Sequence, residues 1–144
     1  MHREMSVSRG FLLDTNTISE QQKPRPSPLV LELLKSISAE PVYLSVLTIG
    51  ELRRGDVIKR RRHPAMSSRF GFWIDALEVE YADRILPVDK EIVTLWGRLT
   101  ADRTPAVVDT LLAATAIVHG LTLVTRNVRD IADLPVRILN PWQS

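Results

Sequence analysis

Short apolar runs alternate with longer segments of helical periodicity along most of the chain. We interpret the apolar runs as strands at residues 11–13, 42–45, 85–87, 121–125 and 136–139. The intervening segments carry apolar residues three and four positions apart, which is typical of amphipathic helices. Strands separated by helices predict a parallel sheet with helices on its faces. The fold class is therefore predicted to be α/β, with a central, mainly parallel twisted sheet.

Capping and stop residues set the limits of the predicted helices. Ser27 suits an N-cap position and Pro28 the first helical position, and we expect Thr48 to cap the next helix. Pro64 should end that helix, because the residue before a proline avoids the helical region. Gly120 is expected to stop the last helix. The predicted helices are residues 16–20, 28–37, 48–63, 67–80, 89–102 and 105–119.

Length and composition indicate one soluble domain. The 144 residues are 44% hydrophobic and 25% charged, enough for one substantial core. No apolar run approaches the roughly 20 residues that cross a bilayer, so we expect a cytoplasmic protein without membrane contact. The absence of Cys excludes disulfides, a thiolate nucleophile and Cys-based zinc sites. We expect residues 11–144 to form the domain and residues 1–10 to be an extension that is disordered, unless translation begins at Met5.

Four carboxylates lie near the ends of predicted strands or on apolar helix faces, where a charged group needs a partner. Asp14 ends the first predicted strand, Glu51 and Asp109 lie on apolar helix faces, and Asp130 follows the strand at 121–125. A carboxylate in a low dielectric must be paired, protonated or bound to a cation. Oxygen ligands suit Mg²⁺ or Mn²⁺ better than zinc. Because ligands bind beyond the carboxyl ends of parallel strands, we predict one acidic pocket at that edge.

Two of these acids also have a structural interpretation. Glu51 follows Thr48 at the spacing of a capping box, and Asp109 lies in the first turn of its helix, where the dipole favours a negative charge. However, Glu51 shares a helix face with Gly55 and apolar residues, and Asp109 shares one with Leu112. Such faces favour a function in a pocket over a purely solvated charge.

Positive charge is concentrated immediately after Glu51. The net charge is only +2, but the estimated pI is 9.3 and residues 53–63 contain six Lys or Arg. A lone run of this kind is most often a solvated helix face. Beside an acidic pocket, the same run favours an anionic polymer that is delivered to bound metal. The candidate RNA-binding residues are Arg53, Arg54, Lys59, Arg60, Arg61 and Arg62.

Four segments, in order, resemble the signature segments of PIN-domain ribonucleases, and most closely the VapC- and FitB-type toxins of bacterial toxin–antitoxin pairs. They are residues 13–20 (LDTNTISE), 48–55 (TIGELRRG), 108–116 (VDTLLAATA) and 123–130 (LVTRNVRD). The resemblance implies a PIN-like α/β/α sandwich. It also implies a catalytic, metal-binding set and two supporting polar residues. The set is Asp14, Glu51, Asp109 and Asp130, and the supporting residues are Asn16 and Thr125.

The same resemblance implies Mg²⁺- or Mn²⁺-dependent cleavage of RNA, a homodimer, and inhibition by a cognate antitoxin in a complex that binds operator DNA. Two other functions remain open from the residues alone. One is a noncatalytic RNA- or partner-binding module, in which the acids are helix caps. The other is a small phosphatase, which is disfavoured because Asn16 replaces the second acid of the Asp-x-Asp-x-Thr motif.

Overall fold

A five-stranded sheet forms the centre of the protein in a computed structural model that describes residues 8–65 and 69–143. Its strand order is β3-β2-β1-β4-β5, and every strand pair in the described part of the chain is parallel. The predicted parallel sheet is confirmed. The strands are β1 (Phe11–Leu13), β2 (Val42–Ser45), β3 (Ile85–Leu86), β4 (Thr122–Val124) and β5 (Arg137–Leu139).

The central strand β1 divides the core into two layers. Its neighbouring residues Leu12 and Leu13 are both fully buried, but they belong to different apolar clusters. Leu13 packs with Ile74 on one face of the sheet and Leu12 with Leu112 on the other, since successive side chains of a strand point to opposite faces. The layers confirm the predicted sandwich and place the end of β1 at its centre.

Helices cover both faces of the sheet and largely match the predicted segments. The bounds differ at α5, which stops three residues before residue 102, and at α6, which starts at Val107 rather than at residue 105. Residues 67 and 68 of another lie outside the described residues. None of the described helices is long and apolar enough to cross a membrane. The helices are α1 (Thr15–Ser19, continued by a 3₁₀ turn at Glu20–Gln22), α2 (Pro28–Ser36), α3 (Val46–Arg62), α4 (Arg69–Glu80), α5 (Lys90–Leu99) and α6 (Val107–His119).

The start of α3 corrects the prediction for Thr48. Strand β2 runs directly into the helix, and its last residue, Ser45, is the cap, accepting a hydrogen bond from the backbone N–H of Leu47 at 3.0 Å. Thr48 is instead a buried residue of the first turn. The predicted cap at Thr48 was wrong, and the capping-box interpretation of Glu51 fails with it.

Other predicted boundaries are confirmed by their hydrogen bonds and dihedral angles. The Ser27 hydroxyl accepts from the backbone N–H of Val30, so it caps α2 as expected. Gly120 follows α6 with a φ of 69°, a left-handed conformation that favours glycine. Helix α3 ends at Arg62, just before Pro64.

The described part of the predicted N-terminal extension is attached to the sheet. The backbone N–H of Arg9 donates to the carbonyl of Gly120 at 2.8 Å, and that of Thr122 donates to the carbonyl of Gly10 at 2.9 Å. Gly10 has a φ of 141°, and an added Cβ would lie 2.4 Å from the carbonyl oxygen of Pro41. A side chain there would push β1 away from the loop before β2. Residues 1–7 lie outside the described residues.

A buried carboxylate organises the proline-rich loop at residues 23–28. Glu20 is only 4% exposed, and its Oε2 accepts from the backbone N–H of Ser27 at 2.8 Å. The ammonium of Lys23 lies 2.9 Å from its Oε1. The hydrogen bond with Lys23, together with that from Ser27, holds the pKa of Glu20 below its usual value. Glu20 is therefore a structural acid that fixes the loop before α2.

We expect Glu20→Gln to lower the free energy of unfolding by about 2 kcal/mol at pH 7, because it removes a charged hydrogen-bond acceptor. The lowered pKa means that the charged form stabilises the fold above the ordinary pKa of 4.5, and that this contribution is lost as the pH falls below it. Thermal unfolding of both proteins at pH 7 and at about pH 3 measures this. The exposed Glu40→Gln is the control, and an equal gap between wild type and Glu20→Gln at both pH values would contradict the assignment.

Candidate active site

An acidic cleft opens at the carboxyl ends of β1 and β4, the edge of the sheet where the sequence predicted a site. Its volume is about 230 Å³. Three of the four predicted acids line it, and Asp130 does not. The lining residues are Asp14, Thr15, Asn16, Glu51, Arg54, Gly55, Asp109, Leu112 and Asn127.

Asp14 lies at the bottom of the cleft and is only 3% exposed. It caps α1, with Oδ1 accepting from the backbone N–H of Thr17 at 2.8 Å. Its Oδ2 accepts from the hydroxyl of Thr125 at 2.5 Å. Hydrogen bonds from two sides fix the orientation of the carboxylate and offset part of its desolvation. Thr125, a predicted supporting residue, thus contacts Asp14 directly.

Asn127 extends this network and was not among the predicted site residues. Its backbone N–H donates to the hydroxyl of Thr125 at 3.0 Å. Its side chain lines the cleft and hydrogen-bonds the carboxylate of Asp109. Asn127 therefore connects Asp14, which follows β1, with Asp109, which lies in the first turn of α6. The available signal was its place two residues beyond Thr125, in a segment that already contained two candidates.

Glu51 approaches the cleft from α3, in the second turn of that helix. Its carboxylate accepts a hydrogen bond from the hydroxyl of Thr15, which in turn lies 3.3 Å from the hydroxyl of Thr48. Glu51 itself is exposed, so the Thr15 contact is what sets its position. Thr15 was also missed, although it directly follows Asp14.

Asp109 is a half-buried carboxylate in the first turn of α6. Burial raises its pKa, and the negative charges of Asp14, Asp130 and Glu51 raise it further, while the hydrogen bond with Asn127 opposes the rise. Each of the other three predicted acids is therefore close enough to act electrostatically on Asp109. The cleft holds like charges whose repulsion protonation or a cation would relieve.

Two predicted site residues lie at the margin of this arrangement. Asp130 is exposed in the loop after β4 and acts on Asp109 through its charge. Asn16 is exposed in α1, but it lines the cleft beside Asp14. The structure thus brings Asp14, Glu51 and Asp109 together, with Asn16 at the rim and Asp130 outside the lining.

The six candidate RNA-binding residues of α3 do not form one surface. Arg54 lines the acidic cleft. Arg53 points to α4 instead, where its guanidinium forms ion pairs with Asp75 at 2.7 Å and with Glu78. These contacts raise the pKa of Arg53 further above its already high value. Arg53 therefore joins two helices, a role that competes with binding phosphate.

The remaining four basic residues occupy the last turn of α3. The ammonium of Lys59 lies 4.0 Å from the centroid of the Phe70 ring, a cation–π contact. Arg60 pairs with the buried carboxylate of Asp56 at 3.2 Å. Arg61 and Arg62 are exposed at the helix end.

Comparison with known proteins identifies the fold and its relatives. The PIN domain family matches residues 11–135, most of the chain. The chain belongs to the PIN-domain family. Toxin FitB of Neisseria gonorrhoeae is 35% identical over 139 residues, covering 92% of this chain and 98% of the relative. A VapC ribonuclease, Y4jK, of Sinorhizobium fredii is 32% identical over 141 residues, with 92% and 98% coverage. This PIN domain is of the VapC and FitB type.

Solved structures of such proteins share its architecture. A structure of FitAB bound to a DNA fragment superposes with a TM-score of 0.78 at 31% sequence identity, covering 93% of this chain and 96% of that chain. The FitAcB structure from Neisseria gonorrhoeae gives a TM-score of 0.74, also at 31% identity, with 93% and 99% coverage. The PIN fold predicted from the four segments is therefore confirmed across nearly the full chain.

The donor set of this PIN domain fits a hard divalent cation. Within residues 8–65 and 69–143, no three His, Cys, Asp or Glu side chains converge into a ready-made cage. Mg²⁺ does not require one, because it keeps several waters and is held by one or two carboxylates. Asp14 and Asp109 offer carboxylate oxygens in one cleft, and the pKa of Asp109 is raised first by burial and then by the neighbouring negative charges, which a cation would neutralise. The carboxylates and the open volume suit a partly hydrated ion.

We expect Asp109→Asn to unfold at an equal or higher temperature than the wild type in metal-free buffer at pH 7, by up to about 4 °C. The raised pKa means that ionisation of Asp109 costs stability at neutral pH, and this cost disappears below its ordinary pKa of 3.8, where the carboxyl is protonated in both states. Calorimetry with EDTA measures the difference, with the exposed Asp83→Asn as control. A clear loss of stability specific to Asp109→Asn would show that the carboxylate holds the fold together.

Proposed function

We propose that this PIN domain is an Mg²⁺- or Mn²⁺-dependent endoribonuclease that works in the cytoplasm as the toxin of a type II toxin–antitoxin pair. The observation that carries the proposal is the convergence of Asp14, Glu51 and Asp109 in one cleft, with Asp14 oriented from two sides. The name of the VapC ribonuclease from Sinorhizobium fredii supports RNA as the substrate.

In this proposal, different residues of the chain hold the metal, orient its ligands and bind the RNA during phosphodiester hydrolysis. Asp14 and Asp109 are the central ligands, and Glu51 and Asp130 complete the shell directly or through water. A bound divalent cation would lower the pKa of a water and stabilise charge on the phosphoryl oxygens.

Neighbouring polar side chains orient the acids and the water. Thr125 holds Asp14 in one rotamer, and the Thr15 hydroxyl does the same for Glu51. Asn16 orients a ligand or water at the rim. Such fixed groups lower the reorganisation that the reaction would otherwise require.

The basic residues of α3 have unequal parts in the proposal. Arg54 stands in the cleft and is placed to contact a phosphate next to the scissile bond. Arg53 binds RNA only by leaving its carboxylate partners on α4. The proposed contacts with the RNA phosphate backbone are made by the last turn of α3, with Lys59, Arg60, Arg61 and Arg62 as the candidates.

Partner binding is part of the same proposal. Structural neighbours at 31% identity are FitAB and FitAcB complexes, and one of them is bound to DNA. We accordingly propose that a cognate antitoxin inhibits this PIN domain and that their complex binds operator DNA. A noncatalytic RNA- or partner-binding module is the competing function, and it predicts that the acids are dispensable for the cellular effect.

We expect cleavage of single-stranded RNA to require Mg²⁺ or Mn²⁺ and to stop with EDTA. Asp109→Asn should lower the cleavage rate at least about 100-fold, because it removes a charged ligand from the site of developing charge. A labelled RNA resolved on a gel measures the rate, and growth after a pulse of expression measures the cellular effect.

The exposed Asp83→Asn changes the net charge by the same amount and should cleave like the wild type. Full activity of Asp109→Asn would contradict the assigned site, and full activity in EDTA would contradict the metal. Growth arrest by a folded Asp109→Asn protein that cleaves no RNA would support the binding module.

We also expect a homodimer. The large apolar side chains of Trp73 and Trp96 are only partly exposed, and the indole N–H of Trp96 donates to the hydroxyl of Thr110. The more exposed apolar residues are Phe72 and Val79 on α4, at 67% and 79%. They are seven positions apart and so share a helix face.

Sedimentation at micromolar concentration without antitoxin should therefore give a dimer, and the double variant Phe72→Ser/Val79→Ser should shift it to monomer, because apolar area drives such association. Leu29→Ser/Leu31→Ser on α2 is the comparison variant. A wild-type monomer would contradict the dimer, and a dimer that only the α2 variant breaks would move the interface to that helix.

A further inference from the structure

A groove continues from the acidic cleft along α3 to its basic end. The cleft shares Thr15, Glu51 and Gly55 with an adjoining cavity of about 330 Å³. That cavity shares Lys59 and Phe70 with a third one of about 540 Å³. The three openings thus form one path, bounded on one side by α3 and on the other by the loop after α1.

Gly55 lies where the path leaves the cleft. Glycine is the least favourable residue in a helix interior apart from proline, and Gly55 is in the middle of the 17-residue α3. Its backbone does not require glycine, since its φ is not positive. Packing does not require it either, because an added Cβ would meet only the Phe70 ring, at 4.0 Å. What the missing side chain provides is an open passage between the acidic cleft and the basic end.

Charge along the path changes sign. The cleft end carries Asp14, Glu51 and Asp109, whereas the far cavity is lined by Lys59, Arg60, His63 and Arg69. The one carboxylate there, Asp56, is buried and paired with Arg60. An anionic chain placed in the groove would meet cations at one end and a cation-binding cleft at the other.

The helix gives the length of this path. Glu51, Gly55 and Lys59 are successive fourth residues on one face of α3, so Glu51 and Lys59 are about 12 Å apart along the axis. At the rise of about 3.4 Å per nucleotide of a stacked strand, that distance corresponds to three or four nucleotides. The groove therefore matches a short stretch of single-stranded RNA.

We propose that this groove binds the nucleotides flanking the scissile phosphate on one side, with Lys59 and Arg69 contacting the phosphate backbone. The inference rests on the proposed nuclease function and adds to it a direction for the substrate: along the Glu51–Lys59 face of α3, away from Arg53. Phe70 and the loop after α1 form the walls. RNA fits better than an acidic peptide because the path ends at the acidic cleft, where the proposed reaction requires a phosphodiester.

Two kinds of variant test the groove. Gly55→Gln fills the passage, and Gly50→Gln is its control, because Gly50 is exposed on the same helix with no atom within 4 Å of an added Cβ. Lys59→Gln/Arg69→Gln removes two groove cations. Lys35→Gln/Lys90→Gln removes the same charge from exposed positions outside the groove. Thermal unfolding of each variant checks the fold.

The probe is a fluorescein-labelled, single-stranded RNA dodecamer, titrated by anisotropy in EDTA so that binding is measured without cleavage. Gly55→Gln should raise the Kd at least about fivefold, with Gly50→Gln unchanged. Lys59→Gln/Arg69→Gln should raise the Kd and lower the slope of log K against log salt by about 1.4, since each phosphate contact on a single strand contributes about 0.7. The Lys35→Gln/Lys90→Gln slope should equal that of the wild type.

The groove is overturned as an RNA site if both groove variants, folded, bind the dodecamer like their controls, or if the wild type does not bind it. Should Gly55→Gln fail to fold, the salt slopes of the two double variants decide alone. A dodecaglutamate peptide titrated in parallel separates the partner classes: weakened peptide binding with unchanged RNA binding would assign the groove to a protein. If the wild type binds the dodecamer but does not cleave RNA in Mn²⁺, the result would count against the nuclease function and not against the groove.

Discussion

The buried carboxylate of Asp14 is the interaction on which the rest of the site depends. A charge with 3% exposure is costly unless it is hydrogen-bonded, and here the backbone of α1 and the hydroxyl of Thr125 supply the donors. Those donors come from the segments that follow β1 and β4. The same bonds that solvate the charge therefore join two neighbouring strands at their carboxyl ends, and the fold and the site share one set of contacts.

The other acids of the cleft destabilise the free protein. Asp109 is half-buried and lines the same cleft as Asp14. Burial and the charge of Asp14 raise its pKa despite the hydrogen bond with Asn127, so the cleft is least stable when it is empty and fully ionised. Sites of this kind gain stability when they bind a cation, because ligand binding to the native state shifts the folding equilibrium. Under the proposed metal dependence, binding of the cation would therefore raise stability and enable activity together.

Sequence alone was sufficient for features with a local signal. Apolar runs and helical periodicity gave the parallel sheet, and strand ends and helix faces led to Asp14, Glu51 and Asp109. Features set by distant contacts were missed or misplaced. The partners of Arg53 are on a helix more than twenty residues away. The cap at Ser45 is a local contact with Leu47, and it was missed because β2 continues into α3 without a loop. Asn127 contributes through Thr125 and Asp109, which only the folded chain brings together.

The contact between Gly10 and Pro41 has a consequence for how such a protein can be inactivated. An added Cβ at Gly10 would lie 2.4 Å from a backbone oxygen, so any substitution must displace the start of β1. The strand has only three residues, and Asp14 lies four residues after Gly10, about 13 Å along the chain at 3.3 Å per residue. A short, rigid element transmits such a displacement instead of absorbing it. Under the proposed toxin function, spontaneous mutants that escape growth arrest should therefore include changes at this glycine, which lies at the opposite end of β1 from Asp14.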